Sequence, residues 1–316
     1  MSTRQMLTDS AERIFADHCT KALLDRAQEG EFPGELWGVL KENGFAELAT
    51  ADSGFELGDA FAVLKVAGRH AAPLPLAEIM LGNRWLGSAD RLVTVGLVDG
   101  SLVKDVPWGR RADAVIALDP TGGPPSVLEA TQVDDTGSNL AGEARDVLAL
   151  VEAAPLGSNE PGLELMALAR VAQMAGALER ILELTLQYAN EREQFGRPIA
   201  RFQAIQHNLA VMAAEVAAAV RIADAAVDAL GGERFEFEVA AAKARVGEAA
   251  GVCAESAHQI HGAMGFTHEH QLHHFTRRVW AWRDEFGNEV YWRRRLGGHI
   301  AGLGADAVWD FLATRG

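Results

Sequence analysis

The chain has 316 residues, of which 48% are hydrophobic, so it is long enough for more than one domain and can bury a sizeable core. It carries 29 basic against 44 acidic residues, and this formal net charge of −15 disfavours nucleic acid and anionic membrane surfaces as partners. Cys19 and Cys253 have neither metal-finger nor redox-pair spacing, which is typical of a reducing compartment. The start lacks a signal-peptide core, and no apolar run reaches about eighteen residues, so we expect a cytoplasmic protein without a membrane span.

The hydrophobic pattern divides the chain into three predicted domains. Residues 1–87 show apolar residues at helical spacing between Gly and Pro breaks, which predicts an N-terminal helical domain. Residues 88–157 change to short Val- and Leu-rich segments separated by turn residues, which predicts a small β-domain of antiparallel strands. Residues 158–316 return to long periodic helices joined by short breaks, the pattern of a helical bundle. The expected fold class is therefore mostly α with a reduced central β region.

The bundle helices are predicted from the same periodicity, with a final pair that runs to Phe311. The three long helices before that pair are expected at Leu163–Arg192, Phe202–Leu230 and Phe235–Ile260.

The break between the first two bundle helices has an unusual composition for an acidic chain. It contains three arginines: Arg192, Arg197 and Arg201. A guanidinium is a planar fork that suits phosphate oxygens, and Phe195 and Gln203 can pack against and hydrogen-bond a nucleotide beside it. The alternative interpretation is an ordinary helix connection with solvated charges.

A second motif follows the third long bundle helix. Gly262 and Gly265 are predicted in a turn, where the missing side chains let backbone N–H groups approach a bulky ligand. This chemistry favours the phosphates of a cofactor.

The same segment is rich in histidine. Pairs at i, i+4 such as His270 and His274 are the spacing in which a helix presents two imidazoles to a metal. No carboxylate or cysteine in the segment completes a recognisable ligand set, so we expect no metal site. The histidines concerned are His258, His261, His268, His270, His273 and His274.

Three tryptophans near the last helices are expected to pack the bundle or a subunit contact, because large aromatic side chains usually bury area first. Stacking on a flavin is the alternative. They are Trp280, Trp282 and Trp292.

With these motifs assembled, the chain resembles the acyl-CoA dehydrogenase family over essentially its whole length. The resemblance is carried by "LWGVLKENGFAEL" and "GRHAAPLPLAE" near the start, and by "YANEREQFGRPIARFQAIQ" and "QIHGAMGFTHEH" in the bundle. It implies an N-terminal helical domain, a central β-domain and a C-terminal four-helix bundle that hold FAD. It also implies an enzyme that removes a proton and a hydride from adjacent carbons of an acyl-CoA.

The resemblance assigns cofactor contacts by position. It places Arg192 at the FAD pyrophosphate and implies that these contacts cross a subunit interface to a flavin whose ring lies in the neighbouring chain. The other implied cofactor-binding residues are Gln194, Phe195, Phe202 and Gln203 in the first motif, and Gln259, Ile260, Gly262 and Ala263 in the second.

Two departures from the family pattern concern the chemistry itself. The family's flavin-ring motif, a Glu-Pro-Gly-rich stretch before a Trp-containing strand, has no counterpart between residues 88 and 157. The family's catalytic glutamate directly precedes a Gly, whereas here Phe286 takes that place and Glu285 is displaced by one residue. A variant position on the first bundle helix holds Met166, with Glu164 two residues away. Glu285 remains the catalytic candidate in this chain, unless a partner holds the base.

The resemblance and the departures together predict a shortened subunit of a heteromeric acyl-CoA dehydrogenase, similar to those of bacterial steroid side-chain degradation. A longer subunit would supply the flavin-ring site, the substrate would be an acyl-CoA, and an electron-transfer acceptor would reoxidise the FAD. One alternative is a self-sufficient homo-oligomer that uses Glu285 or Asp284 as base. Another is a non-catalytic structural bundle protein, since fold alone does not fix function.

Overall fold

The N-terminal part of the chain is helical, as predicted. The structure is a computed structural model, and it describes residues 2–128 and 131–314. The side chains of Ser2 and Thr20 accept hydrogen bonds from the first turns of the helices that follow them, which fixes where those helices begin. The helices of this part are α1 Thr3–His18, α2 Lys21–Gln28, α3 Gly34–Glu42, α4 Leu57–Arg69 and α5 Leu76–Leu86.

A mixed sheet follows, and its topology differs from the expected antiparallel arrangement. Among the described residues it has seven strands in the order β5-β6-β2-β1-β3-β4-β7. β1 and β3 pair in parallel, with Val93 opposite Ala114, because the chain crosses from β2 to the far side of β1 before it re-enters the sheet. The other pairings are antiparallel. The strands are β1 Val93–Asp99, β2 Leu102–Val106, β3 Ala114–Leu118, β4 Ser126–Leu128, β5 Thr131–Ser138, β6 Ala144–Leu150 and β7 Ala153–Pro155.

The C-terminal part is a bundle of long helices, and the fold class predicted from the sequence is confirmed. The expected final pair of helices is in fact three, because Gly287 and Gly304 adopt positive φ angles of 93° and 77° that interrupt the helical path. The elements are α6 Gly162–Glu191, β8 Glu193–Gln194, β9 Arg197–Pro198, α7 Gln203–Asp228, α8 Phe235–His261, α9 Leu272–Asp284, α10 Glu289–Leu303 and α11 Val308–Ala313.

Helices α4 and α6 join the two helical parts in backbone contact. A Cβ atom at Gly68 would lie 2.0 Å from the carbonyl oxygen of Gln173, and one at Gly176 would lie 1.9 Å from that of Lys65. Only glycine permits this approach, so the two helices leave no gap between them at these positions.

The tryptophans divide between core and surface. Trp292 and Trp282 are buried, which agrees with the packing interpretation. Trp280 is half-buried and its ring stacks on that of His258 at 5.6 Å. Within the described residues, no helix is both long enough and apolar enough to span a bilayer.

Candidate active site

The arginine-rich break is a β-hairpin. Strands β8 and β9 pair antiparallel, with Gln194 opposite Arg197. The two tip residues, Phe195 and Gly196, have φ angles of 53° and 77°, the left-handed region that two-residue hairpin turns require. Phe195 is 92% exposed, so the hairpin holds a bulky apolar ring in an uncommon conformation out in solvent.

Around the hairpin, most of the predicted cofactor residues are exposed, and Arg192 has a guanidinium that is unpaired among the described residues. Arg197 places its guanidinium 4.3 Å above the ring of the half-buried Phe202. Gln194 and Gln203 are exposed. The guanidinium of Arg192 makes no ion pair or hydrogen bond within residues 2–128 and 131–314, so it is available to an anion.

The second motif lies beside the first. The ring of Tyr188, one turn before Arg192, stacks on that of His261 at 4.4 Å, and its hydroxyl donates to the His261 carbonyl at 3.3 Å. The chain turns immediately afterwards at Gly262, whose φ is 57°. Arg192 in the first motif and Gly262 in the second are 70 residues apart in the sequence, and Tyr188 brings the two motifs together. Tyr188 was not among the residues singled out from the sequence.

A surface hollow of 620 Å³ opens at the second motif. Its wall is aromatic, because the ring of His258 stacks on Phe266 at 4.4 Å and on Trp280 at 5.6 Å. Gln259 and Gly262 line its rim, whereas Ile260 is buried in the main core. The hollow has the size and polarity mix of a small-molecule site. Ala263 is exposed next to it.

Glu285 is held in a different place and by a different chemistry. It caps the end of α9, and its side chain is 10% exposed. One carboxylate oxygen accepts from Arg145 Nη2 at 2.6 Å and from Asn139 at 3.1 Å, and the other accepts from Arg170 Nε at 2.7 Å. Arg170 also binds the buried Glu78 of α5. The sequence-predicted base is therefore the centre of a buried ion-pair network.

These contacts set the acidity of Glu285. Burial by itself would raise the pKa of this carboxyl, but the charges of Arg145 and Arg170 outweigh it and lower the pKa to about 2. A general base that removes a proton alpha to a thioester needs a pKa raised towards neutrality and a lone pair open to the substrate. Glu285 has neither in this arrangement.

The space around the network is also too small for a flavin ring. The cavity lined by Glu78, Arg145 and Arg170 has a volume of 20 Å³, room for about one water molecule. Trp108 and Trp282 close its sides.

The other carboxylates considered from the sequence are not better placed. Asp284 is exposed on the last turn of α9. Glu164 is buried and bound by Arg295 at 2.5 Å, and Met166 is fully buried in the core. Among the described residues considered as bases, each is therefore either solvated or neutralised by an arginine.

Sequence reasoning missed both arginines that neutralise Glu285. Arg170 stands alone among apolar and small residues in the first third of a long helix, and a single charge in such a run is the signal of a buried ion pair. Arg145 lies on a short strand, where nothing nearby in the sequence points to its partner.

Comparisons with known proteins agree with this fold. Residues 160–296 match the family model "Acyl-CoA dehydrogenase, C-terminal domain". The chain is 30% identical over 294 residues to acyl-CoA dehydrogenase IpdE2 of Mycobacterium tuberculosis. The aligned region covers 87% of this chain and 90% of that protein. It belongs to the acyl-CoA dehydrogenase family, whose members are FAD-dependent enzymes.

Solved structures share the whole fold. A chain of the ChsE4-ChsE5 complex from Mycobacterium tuberculosis superposes with a TM-score of 0.85 at 23% identity, covering 96% of this chain and 99% of that one. A chain of the Tcur3481-Tcur3483 steroid acyl-CoA dehydrogenase superposes with a TM-score of 0.82 at 22% identity, covering 95% and 98%.

Proposed function

We propose that this chain is the short subunit of a heteromeric acyl-CoA dehydrogenase that introduces an α,β-double bond into a steroid-derived CoA thioester. In this proposal it supplies the ADP-side half of an FAD site. A longer partner subunit supplies the flavin-ring site and the catalytic base, and an electron-transfer acceptor reoxidises the flavin.

The observation that carries the proposal is the state of Glu285. The carboxylate is bound by Arg145 and Arg170, its pKa is about 2, and the adjoining cavity of 20 Å³ admits no ring. An acyl-CoA dehydrogenase needs both a base and a flavin-ring site, so the chemistry belongs on another chain. The homo-oligomeric alternative with Glu285 or Asp284 as base has no such support.

The exposed motifs fit the ADP half of FAD. The guanidinium of Arg192, unpaired within residues 2–128 and 131–314, can bind phosphate oxygens. Gly262 has no Cβ atom, so a ligand can approach its backbone closely, and the apolar ring of Phe195 is exposed to solvent. His258 adds a buried Nδ1 without a hydrogen-bond partner in the described part of the chain, beside the 620 Å³ hollow. FAD, when bound, supplies the hydride acceptor, and these residues of the chain bind and orient its phosphates and adenosine.

The choice of partner and substrate class rests on the relatives. One structural neighbour is a chain of the ChsE4-ChsE5 complex. The other is a chain of the Tcur3481-Tcur3483 steroid acyl-CoA dehydrogenase, whose name also joins two proteins. We infer the same two-chain organisation and substrate class here, with two copies of each chain as the simplest closed arrangement.

The test is a flavin count on size-exclusion fractions, for the chain alone and for the chain co-expressed with a longer acyl-CoA dehydrogenase encoded beside it. We expect little FAD on the lone chain, and one FAD per pair of unlike chains, bleached by a steroid acyl-CoA, in the complex. One tightly bound, acyl-CoA-reducible FAD per lone chain would establish the homo-oligomer instead. A complex without FAD would leave the structural bundle interpretation.

A further inference from the structure

Three side chains that can ligate a metal converge where α2 approaches the start of α9. Asp25 lies on α2, and His273 and His274 lie in the first turn of α9. One ligand atom from each lies within 4.8 Å of the other two. No carboxylate of the histidine-rich segment completed a ligand set in the sequence, and the fold supplies one from α2.

The imidazoles in this cluster leave buried nitrogens without partners. His273 Nδ1 donates to the carbonyl of His270 at 2.7 Å, so its Nε2 carries the lone pair, and that atom is buried with no hydrogen bond to the described residues. His274 is 1% exposed, and neither ring nitrogen has a partner of hydrogen-bond geometry there, although Nε2 lies 3.0 Å from Asp25 Oδ1. A buried polar atom left unpaired costs about 1–3 kcal/mol. Such atoms therefore call for a physical explanation.

We propose that Asp25, His273 and His274 form a binding site for a divalent transition metal of the zinc class, which ties α2 to α9. A zinc ion binds imidazole nitrogen and carboxylate oxygen at about 2.0–2.2 Å, so its ligand atoms lie roughly 3.5 Å apart. The three atoms, all within 4.8 Å of one another, lie near that spacing. Water completes the coordination.

The hydrogen bond of His273 supports this assignment. An imidazole that ligates a metal usually donates its other N–H to a carbonyl or carboxylate, which fixes the tautomer and aims the lone pair. The bond from His273 Nδ1 to the His270 carbonyl does this. Two nitrogen ligands select zinc, cobalt or nickel over magnesium and calcium, which prefer oxygen.

The surrounding charges make Asp25 the decisive ligand. Lys21 binds its Oδ2 at 2.6 Å and leaves Oδ1 facing His274. Arg278, Lys21 and the positive end of α9 all oppose a cation, and Asp25 is the negative ligand that offsets them.

The experiment titrates the chelator-treated full chain with ZnCl₂ by calorimetry and with CoCl₂ by visible absorbance. We expect one Zn²⁺ per chain, a cobalt spectrum typical of nitrogen and oxygen ligands, a raised melting temperature with zinc, and no competition from Mg²⁺. Asp25→Asn, at a half-exposed position that tolerates the change, should weaken binding at least about tenfold. It should also abolish the zinc-dependent rise in melting temperature. His273→Gln should do the same.

Lys21→Gln is the matched control, because it breaks the same Lys21–Asp25 ion pair and leaves every ligand in place. It should bind zinc as tightly as the unmodified chain or more tightly. The proposal is overturned if the unmodified chain binds zinc no better than Asp25→Asn, or if Lys21→Gln loses binding to the same extent.

Discussion

Nε of Arg170 lies 2.7 Å from Oε2 of Glu285, and the two side chains are 3% and 10% exposed. The same guanidinium also reaches Glu78 on α5, and the opposite oxygen of Glu285 accepts from Arg145 on β6. The end of α9 is thereby fixed to α5, α6 and the sheet through one carboxylate. A carboxylate one residue away from the family's catalytic position here holds α9 to the rest of the fold.

Glu285→Gln should therefore impair stability and leave the chemistry largely intact. Loss of one partner of a buried pair leaves the arginines uncompensated, which costs about 3–5 kcal/mol of the free energy of unfolding. In the assembled flavoprotein, flavin reduction by acyl-CoA per folded complex should stay within a few-fold of the unmodified enzyme. Urea unfolding and stopped-flow absorbance measure the two quantities.

Asp284→Asn is the control for this variant, because the neighbouring carboxylate is exposed and should affect neither measurement. If Glu285→Gln instead slows reduction about a hundredfold or more in fully folded, FAD-loaded complex, the base lies in this chain.

Acid should weaken the fold through the same network. Burial by itself would raise the pKa of Glu285, but the charges of Arg145 and Arg170 outweigh burial and lower it from 4.5 to about 2. The ionised Glu285 therefore stabilises the folded state fully above pH 4.5, and this stabilisation is lost as the pH falls from 4.5 to about 2. Burial alone would also raise the pKa of Glu143, but the charges of Arg278 and Arg145 outweigh burial and lower it. Unfolding free energies at about pH 7 and about pH 3.5 should differ clearly, and less so in Glu285→Gln. An equal pH dependence in both proteins would contradict this account.

The contact between α4 and α6 should not tolerate a single methyl group. A Cβ atom at Gly176 would overlap the Lys65 carbonyl at 1.9 Å, so Gly176→Ala must push the helices apart and should cost about 1–3 kcal/mol or more. Gly297→Ala on α10 is the matched change in open space, where higher helix propensity should stabilise by about 0.5–1 kcal/mol. Thermal unfolding compares them, and equal melting temperatures would refute the close packing.

Arg192→Ala should weaken FAD retention in the assembled protein. A free guanidinium that binds phosphate typically contributes about 1.5–3 kcal/mol, and Arg192→Lys should restore only part of it, because an ammonium lacks the planar fork. Arg294→Ala, an exposed arginine on α10, serves as control. Unchanged FAD affinity in folded, assembled Arg192→Ala protein would remove Arg192 from the cofactor site.

Helix and strand order could be predicted because those signals are local. Periodicity over a few turns places α6 to α8 within a residue or two of the predicted spans, and turn residues mark the strands. The hairpin at Phe195 was not predicted, because a Phe residue with a left-handed backbone conformation is uncommon. Gly196 and Pro198 are equally consistent with a simple end of the helix. The parallel pairing of β1 with β3 depends on a crossover that no short window contains.

By itself, the sequence determined the class of the protein through its acidic, helix-rich composition, and its two motifs in the bundle indicated the family. The role of Glu285 was decided only by the tertiary structure, because the arginines that lower its pKa lie 115 and 140 residues away along the chain. The meeting of Asp25 with His273 and His274 depends in the same way on how α2 approaches α9. The pKa of a carboxyl group and the ability of side chains to bind a metal both depend on charges and lone pairs within a few ångströms. Only the folded chain brings those neighbouring groups together.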